Sequence, residues 1–487
     1  MKPFTAAQGD ITAPSPTVRW ALAGLSLSML MPSLDTSIAN AGLPVLAQAF
    51  GASFHAVQWI VLAYLLAITT LIVSAGRLGD LAGRRRLLLG GIAIFTIASL
   101  ACGAAPSLWL LIAARAAQGL GAAIMMALTV ALVGETVPKE KTGSAMGLLG
   151  TMSAIGTTLG PSLGGVLIAA LGWRTIFLIN VPLGVVNFVL AYRHLPADRR
   201  VANEAGGRFD HAGTLLLALT LGAYALAMTI GRGAFGSHNI TLLLAAAAGA
   251  ALFVRAEGRA GAPLIRLAMF RNRLLSASLG MSALVSTVMM ATLVVGPFYL
   301  SRALGLPAML VGFVLSAGPL VAALTGVPAG RLVDRFGTHR MTIAGLTAAV
   351  TGCLTLAVTP ARLGIAGYVT PIVVITAGYA LFQAANNTSI MTTTRPGERG
   401  LVSGLLSLSR NLGLITGASA MGAIFALAAG TIDMTTAPTD AVATGMRITF
   451  GVAAGLIAAA LVVAVGRGGG SGTVAPETSP LPVPSVS

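Results

Sequence analysis

Charge is scarce in this chain. Asp, Glu, Lys and Arg together make up 9% of the 487 residues, and only 14 residues are acidic. A soluble domain devotes about a quarter of its residues to charge, so a surface that meets water on every side is excluded. Cysteine is also nearly missing: Cys102 and Cys353 are the only two, each inside an apolar run, which excludes a disulfide framework. The five histidines are scattered without ligand spacing, so neither a metal centre nor a cofactor is indicated. Aromatics are held to 5%; the net charge of +16 therefore lacks the aromatic and basic platform that a nucleic-acid surface needs. The catalytic His/Asp/Ser constellation of a membrane enzyme is missing too, as is the soluble output domain of a sensor.

What the chain does have is apolar length. Hydrophobic residues reach 56% and the mean hydropathy is +0.88, which predicts an all-α polytopic membrane protein. A span needs about 20 apolar residues, and fourteen such runs begin near Arg19, His55, Leu87, Leu108, Gly143, Thr175, His211, Asn239, Leu274, Pro307, Met341, Gly367, Gly400 and Ala443. Placing the N-terminus in the cytoplasm leaves only Arg174, Arg232, Arg302, Arg362 and Arg447 on the outer side and Arg115 and Arg410 within spans; every other Lys and Arg falls inside. That bias predicts two cytoplasmic termini. The first apolar run is too long for a signal-peptide core, so it stays as a span. The last residues, rich in Gly, Ser and Pro, cannot bury enough surface to fold.

One phrase is written twice. Gly76 to Arg86 reads GRLGDLAGRRR and Gly330 to Arg340 reads GRLVDRFGTHR, each between two apolar runs. Duplication at this distance means two related halves. In each copy an arginine and an acid stand three apart, Arg77 with Asp80 and Arg331 with Asp334, at the spacing of an ion pair, and a turn glycine follows. The copies follow the second and tenth spans, although six-span halves would put them six apart. Two spans are therefore inserted between the halves. The expected organisation is a tail over residues 1–17, a six-helix bundle over 18–196, two inserted helices over 210–256, a second six-helix bundle over 270–465 and a tail over 466–487.

Aligning the halves pairs Gly143, Gly147, Gly156 and Gly160 with Gly400, Gly404, Gly413 and Gly417. Residues shared by both halves are explained by packing, so residues found in one half only are better candidates for chemistry. Asp35, Arg115 and Pro161 are of that kind. Asp35 should lie about 24 Å up from the cytoplasmic surface and Arg115 about 10 Å down from the outer one, which puts both at similar depth. Ionisable groups within a membrane default to function and need a partner or water, and an acid contested between a proton and an arginine can carry a proton. A permanent structural ion pair is the alternative. Gln118, Gln383, Asn386, Asn387, Arg410 and Asn411 could line a polar cavity or tie helices together. Met29, Met31, Met125, Met126, Met289 and Met290 could line an adaptable pocket or simply pack.

Taken together, these phrases resemble those of the major facilitator superfamily, specifically its fourteen-span drug:proton antiporters. Gly76, Arg77, Asp80, Gly83, Arg84 and Arg85 match the superfamily's loop signature, and LDTSIANAGLP from Leu34 to Pro44 is similar to the first span of the fourteen-span group. RAAQGLGAA from Arg115 resembles the fourth-span signature whose arginine is tied to proton coupling. GTTLGPSLGG, with Gly156, Gly160, Pro161, Gly164 and Gly165, resembles the antiporter signature of the fifth span; WRTIFLINVPLG from Trp173 matches a further stretch. The resemblance implies two six-helix bundles rocking about a central cavity in a bacterial cytoplasmic membrane, in a monomer whose partners are protons, lipid and lipophilic small molecules. It implies export driven by the proton gradient, with Asp35 and Arg115 in coupling and Arg331 and Asp334 joining the first loop copy in gating. Because Asp35 is the only acid placed firmly inside a span, divalent cations are not expected, and monovalent lipophilic cations or neutral or zwitterionic compounds are the expected substrates. A dedicated metabolite exporter and a nutrient importer of the same fold are the nearer alternatives.

Overall fold

The computed structural model describes residues 16–52, 54–198, 210–229, 236–260, 263–430 and 438–468. Most of both expected tails, 1–15 and 469–487, lies outside them. The first helix already starts at Pro16 and the last continues to Gly468, so the apolar runs carry regular backbone slightly further than composition suggests.

The first bundle contains α1 (Pro16–Ala49), α2 (Phe54–Ala82), α3 (Arg84–Ala104), α4 (Leu108–Thr136), α5 (Thr142–Leu171), the short α6 (Thr175–Leu178) and α7 (Asn180–His194). The inserted pair is α8 (His211–Thr229) and α9 (Ser237–Glu257). The second bundle contains α10 (Arg273–Phe298), α11 (Ala308–Leu315), α12 (Ala317–Phe336), α13 (Thr338–Val358), α14 (Gly364–Thr393), α15 (Arg399–Ala429) and α16 (Thr439–Gly468). Apolar runs of this length become helices because only a helix satisfies every backbone polar group without water. Among the described residues, 11 helical segments are long and apolar enough to cross a membrane, and 12 if bent α5 is one span. Large apolar side chains such as Ile97, Leu171 and Leu427 point outward and are exposed, as a lipid-facing surface requires. The molecule is a multi-pass membrane protein.

The two bundles repeat each other's packing. α1 packs on α5 as α10 packs on α15, and α4 lies between α2 and α3 as α14 lies between α12 and α13. Across the bundles, α2 meets α15 and α12 meets α5. Glycine makes these crossings close: a Cβ on Gly156 would stand 2.7 Å from the Leu30 carbonyl of α1, and one on Gly413 would stand 2.3 Å from the Ala283 carbonyl of α10.

Gly156, Gly160 and Gly164 face Leu30, Ser37 and Ile38 of α1 inside one bundle, whereas nothing approaches Gly165. It is Gly143 and Gly147, nearer the start of α5, that meet the other bundle. The helix bends by 45° between Gly160 and Ser162; the side chain of Pro161 lies outside the described residues. Met29, Met31 and Met125 are core residues, and Met126 and Met289 pack against the cores.

Inserted α8 packs on α2 of the first bundle and on α15 of the second. The Tyr224 hydroxyl pairs with that of Thr416, and Ser419 donates to the Met228 carbonyl. Helix α8 thus lies along one of the two seams between the bundles, with α9 packed against it.

Candidate functional site

Asp35 and Arg115 meet. α1 and α4 run in opposite directions, so an acid late in one and a base early in the other reach the same level, away from the duplicated loops. The Arg115 guanidinium donates to Asp35 Oδ2 in a salt bridge whose partners are 0% and 1% exposed. Its Nε donates to the Ile60 carbonyl at 3.1 Å, and the nitrogen that serves Asp35 also donates to Gln118 Oε1 at 2.6 Å. The other carboxylate oxygen accepts from Gln118 Nε2 at 2.9 Å and from Asn180 Nδ2 at 2.8 Å. Tyr64 places its ring 4.2 Å from the guanidinium carbon, a cation–π contact that desolvation strengthens. One nitrogen, Arg115 Nη2, is buried without an acceptor, and the side-chain oxygen of Asn180 is buried without a donor.

Two members of this network were not among the candidates for it. Gln118 does the second of the two things open to it and ties helices together: it is fully buried beside the ion pair and also donates to Ser99 of α3 at 2.8 Å. Its spacing explains this, since residues three apart share a helix face. Asn180 opens α7, separated from the end of α6 by Ile179 alone. Its place in the phrase WRTIFLINVPLG was the available signal.

The duplicated loops form two further sites between the bundles. Asp80 accepts from the backbone amides of Gly400 and Leu401 at 2.9 and 2.8 Å, capping the N-terminus of α15. A carboxylate there satisfies amides that a helix leaves unpaired and complements the helix dipole. Arg84 donates to Asp80 at 2.9 and 2.6 Å, and to Glu135 and the Pro396 carbonyl. Arg399 reaches back to the Gly134 carbonyl at 2.6 Å. In the second copy Asp334 accepts from the amides of Gly143 and Ser144 at 2.7 and 2.8 Å, and from the Ser144 hydroxyl, capping α5. Gly76 and Gly330 let these helix ends touch: a Cβ would stand 2.1 Å from the Gly400 carbonyl and 2.3 Å from that of Gly143. Gly83 and Gly337 turn the chain into the next helix with φ of 101° and 87°, a region that side chains rarely adopt.

The expected pairs Arg77 with Asp80 and Arg331 with Asp334 are not formed. The salt bridges among the described residues join Arg84 to Asp80 and Glu135, and Arg115 to Asp35. Both carboxylates turn toward the amides of the opposite bundle, and Arg84 follows Asp80 because the Gly83 turn brings it round. Arg85 instead donates to the Tyr192 carbonyl and takes Asp198 on its backbone amide at 2.8 Å. Glu135 and Asp198 are the residues missed in this region; both are distant in sequence from the phrase they serve.

Gln383, Asn386, Asn387 and Arg410 line a cleft between the bundles, together with Tyr379 and Val130. Asn411 does not line it. Among the described residues no group of three or more His, Cys, Asp and Glu stands together as a metal site would require.

The family described as Major Facilitator Superfamily matches residues 25–418. The chain is 33% identical over 416 residues to the multidrug resistance protein Stp of Mycobacterium tuberculosis, spanning 83% of this chain and 75% of that one. It is 30% identical over 402 residues to the riboflavin transporter RibZ of Clostridioides difficile, spanning 82% and 87%. Among solved structures, the proton:xylose symporter XylE bound to 6-bromo-6-deoxy-D-glucose has the same fold, with a TM-score of 0.66 at 14% identity over 92% of this chain and 95% of that one.

Proposed function

The chain belongs to the major facilitator superfamily, and from that premise we propose that this transporter is a proton-coupled antiporter exporting lipophilic drugs or antibiotics across a bacterial cytoplasmic membrane. As a family member it is a transporter and not an enzyme. Drug export is supported by the relatedness to Stp, whose name says multidrug resistance. In this reading the chain is a monomer with both termini in the cytoplasm and fourteen spans arranged as six, two and six. To the segments already long enough to cross, it adds α1, which has 34 residues, and α8, which has 19.

One observation carries the coupling step: a fully buried Asp35–Arg115 pair whose carboxylate is held by two amides and whose guanidinium keeps an unused donor. Removing one partner of a buried ion pair costs about 3–5 kcal/mol. A proton arriving at Asp35 would leave Arg115 charged without its counterion. The guanidinium must then find another acceptor or water, and the helices carrying it are displaced. Protonation is thereby tied to a choice between packings of the first bundle, and the Asp80 and Asp334 contacts supply one end state, with the loop end closed. Alternating access follows when release of those contacts is linked to that choice.

Efflux of a fluorescent substrate from proteoliposomes under an imposed pH gradient tests this directly. Asp35→Asn should abolish gradient-driven transport while leaving exchange down a substrate gradient in place. Gradient-driven transport that survives the substitution at the parental rate sinks the coupling role. The relatedness to RibZ favours a second reading, a transporter dedicated to one metabolite; a susceptibility panel in which a single compound responds would select it.

A further inference from the structure

The cleft between the bundles has one cation in its wall and no acid. Arg410 lies in α15 about 16 Å from that helix's start, at a rise of 1.5 Å per residue, beside Tyr379, Gln383 and Asn387 of α14 and Ser282 of α10, with Val130 of α4 closing the far side. Arg84 and Arg115 are both paired. Among the described residues Arg410 has no hydrogen bond or salt bridge, and the amides of Gln383 and Asn387 have none either. Beside them the side-chain oxygen of Asn386 is buried without a donor. A guanidinium held between two bundles without a counterion is a costly arrangement. An arriving anion would relieve it.

We propose that this cleft is the substrate site and that Arg410 receives an anionic group, so that the preferred substrates are planar aromatic compounds carrying a carboxylate, as acids or zwitterions. The inference deepens the transporter reading, because it requires a substrate that enters between the bundles, but it does not depend on proton coupling. A guanidinium presents a planar fork that matches a carboxylate with two parallel hydrogen bonds. The amides of Gln383 and Asn387 can serve a neighbouring carbonyl or N–H, and Tyr379 offers a ring face to an aromatic body. A lipophilic cation would meet Arg410 at close range with no carboxylate in the wall to offset it. Asp35 is buried in its own network, and Arg410 is the charge that the cleft displays.

The test is equilibrium binding to the purified full-length protein, with no gradient, using nalidixic acid, its ethyl ester and ethidium. The parent should bind the acid at least about tenfold more tightly than the ester, the worth of a charge-assisted hydrogen bond, and more tightly than ethidium. Arg410→Gln should remove the preference for acid over ester, and Arg410→Lys should keep part of it. Should Arg410→Gln fail to fold, Asn387→Asp carries the test, since an acid beside Arg410 should weaken the acid about tenfold and spare ethidium. Equal binding of acid and ester by the parent, tighter binding of ethidium, or a preference unchanged in both variants overturns the proposal. Acid-selective binding without gradient-driven transport would count against the coupling reading alone; gradient-driven transport with binding blind to the carboxylate would count against this one alone.

Discussion

At one junction between the bundles a carboxylate is shared by two helix-end amides and an arginine; at the other, the same carboxylate has the amides and a serine hydroxyl. Asp80 and Asp334 cap the opposite bundle's helix in the same way, and Gly76 and Gly330 allow the same backbone approach. Only the first junction adds Arg84, which extends the contact to Glu135 at the end of α4 and to the loop before α15. The part common to both is the geometry of closure. The added part ties one junction to α4, the helix that also carries Arg115, 20 positions or about 30 Å away along a rigid rod. Duplication preserved the latch, and divergence connected one copy of it to the buried ion pair.

Accessibility of the cleft measures both junctions, because the two native cysteines are buried and a Ser407→Cys label reports opening at the loop end. The largest effect should come from Gly76→Leu or Gly330→Leu. Either side chain would overlap a backbone carbonyl, and overpacking of this kind costs about 1–3 kcal/mol or more. Labelling should rise more than tenfold in both variants and transport should fail; unchanged labelling would mean that these contacts do not hold the end closed. Next, Asp80→Asn should open the loop end more than Asp334→Asn does, since hydrogen bonds to a charged group are worth about 1.5–3 kcal/mol and Asp80 makes more of them. Equal labelling in the two variants would remove the asymmetry. Smallest of all, Arg77→Gln and Arg331→Gln should stay within about twofold of the parent, as expected for charges outside any salt bridge. A strong defect in Arg77→Gln alone would return it to the gate.

Much of this architecture was legible because a membrane helix is a rod of known rise. Apolar length located the helices, and the same rise placed Asp35 and Arg115 at one level before any contact was visible. Direction around the rod was harder to read. Spacing cannot tell whether Gln118 lines a cavity or ties helices, and the i,i+4 step that joins Asp80 to Arg84 says nothing of the amides 320 residues away that Asp80 also caps. Such contacts depend on which neighbour each face meets, which periodicity in a nearly uniform apolar run does not encode.

The position of α8 gives the molecule a covered flank and a bare one. Along the seam of α2 and α15 the extra helix stands between the bundles and the surrounding hydrocarbon. Among the described residues neither α8 nor α9 packs at the seam of α5 and α12, where Leu159 and Val166 of α5 and Leu320 and Leu324 of α12 are exposed. A compound dissolved in the bilayer therefore approaches two unlike sides of a molecule whose internal plan is nearly symmetric, and only on the bare flank does it touch the dividing line between the halves.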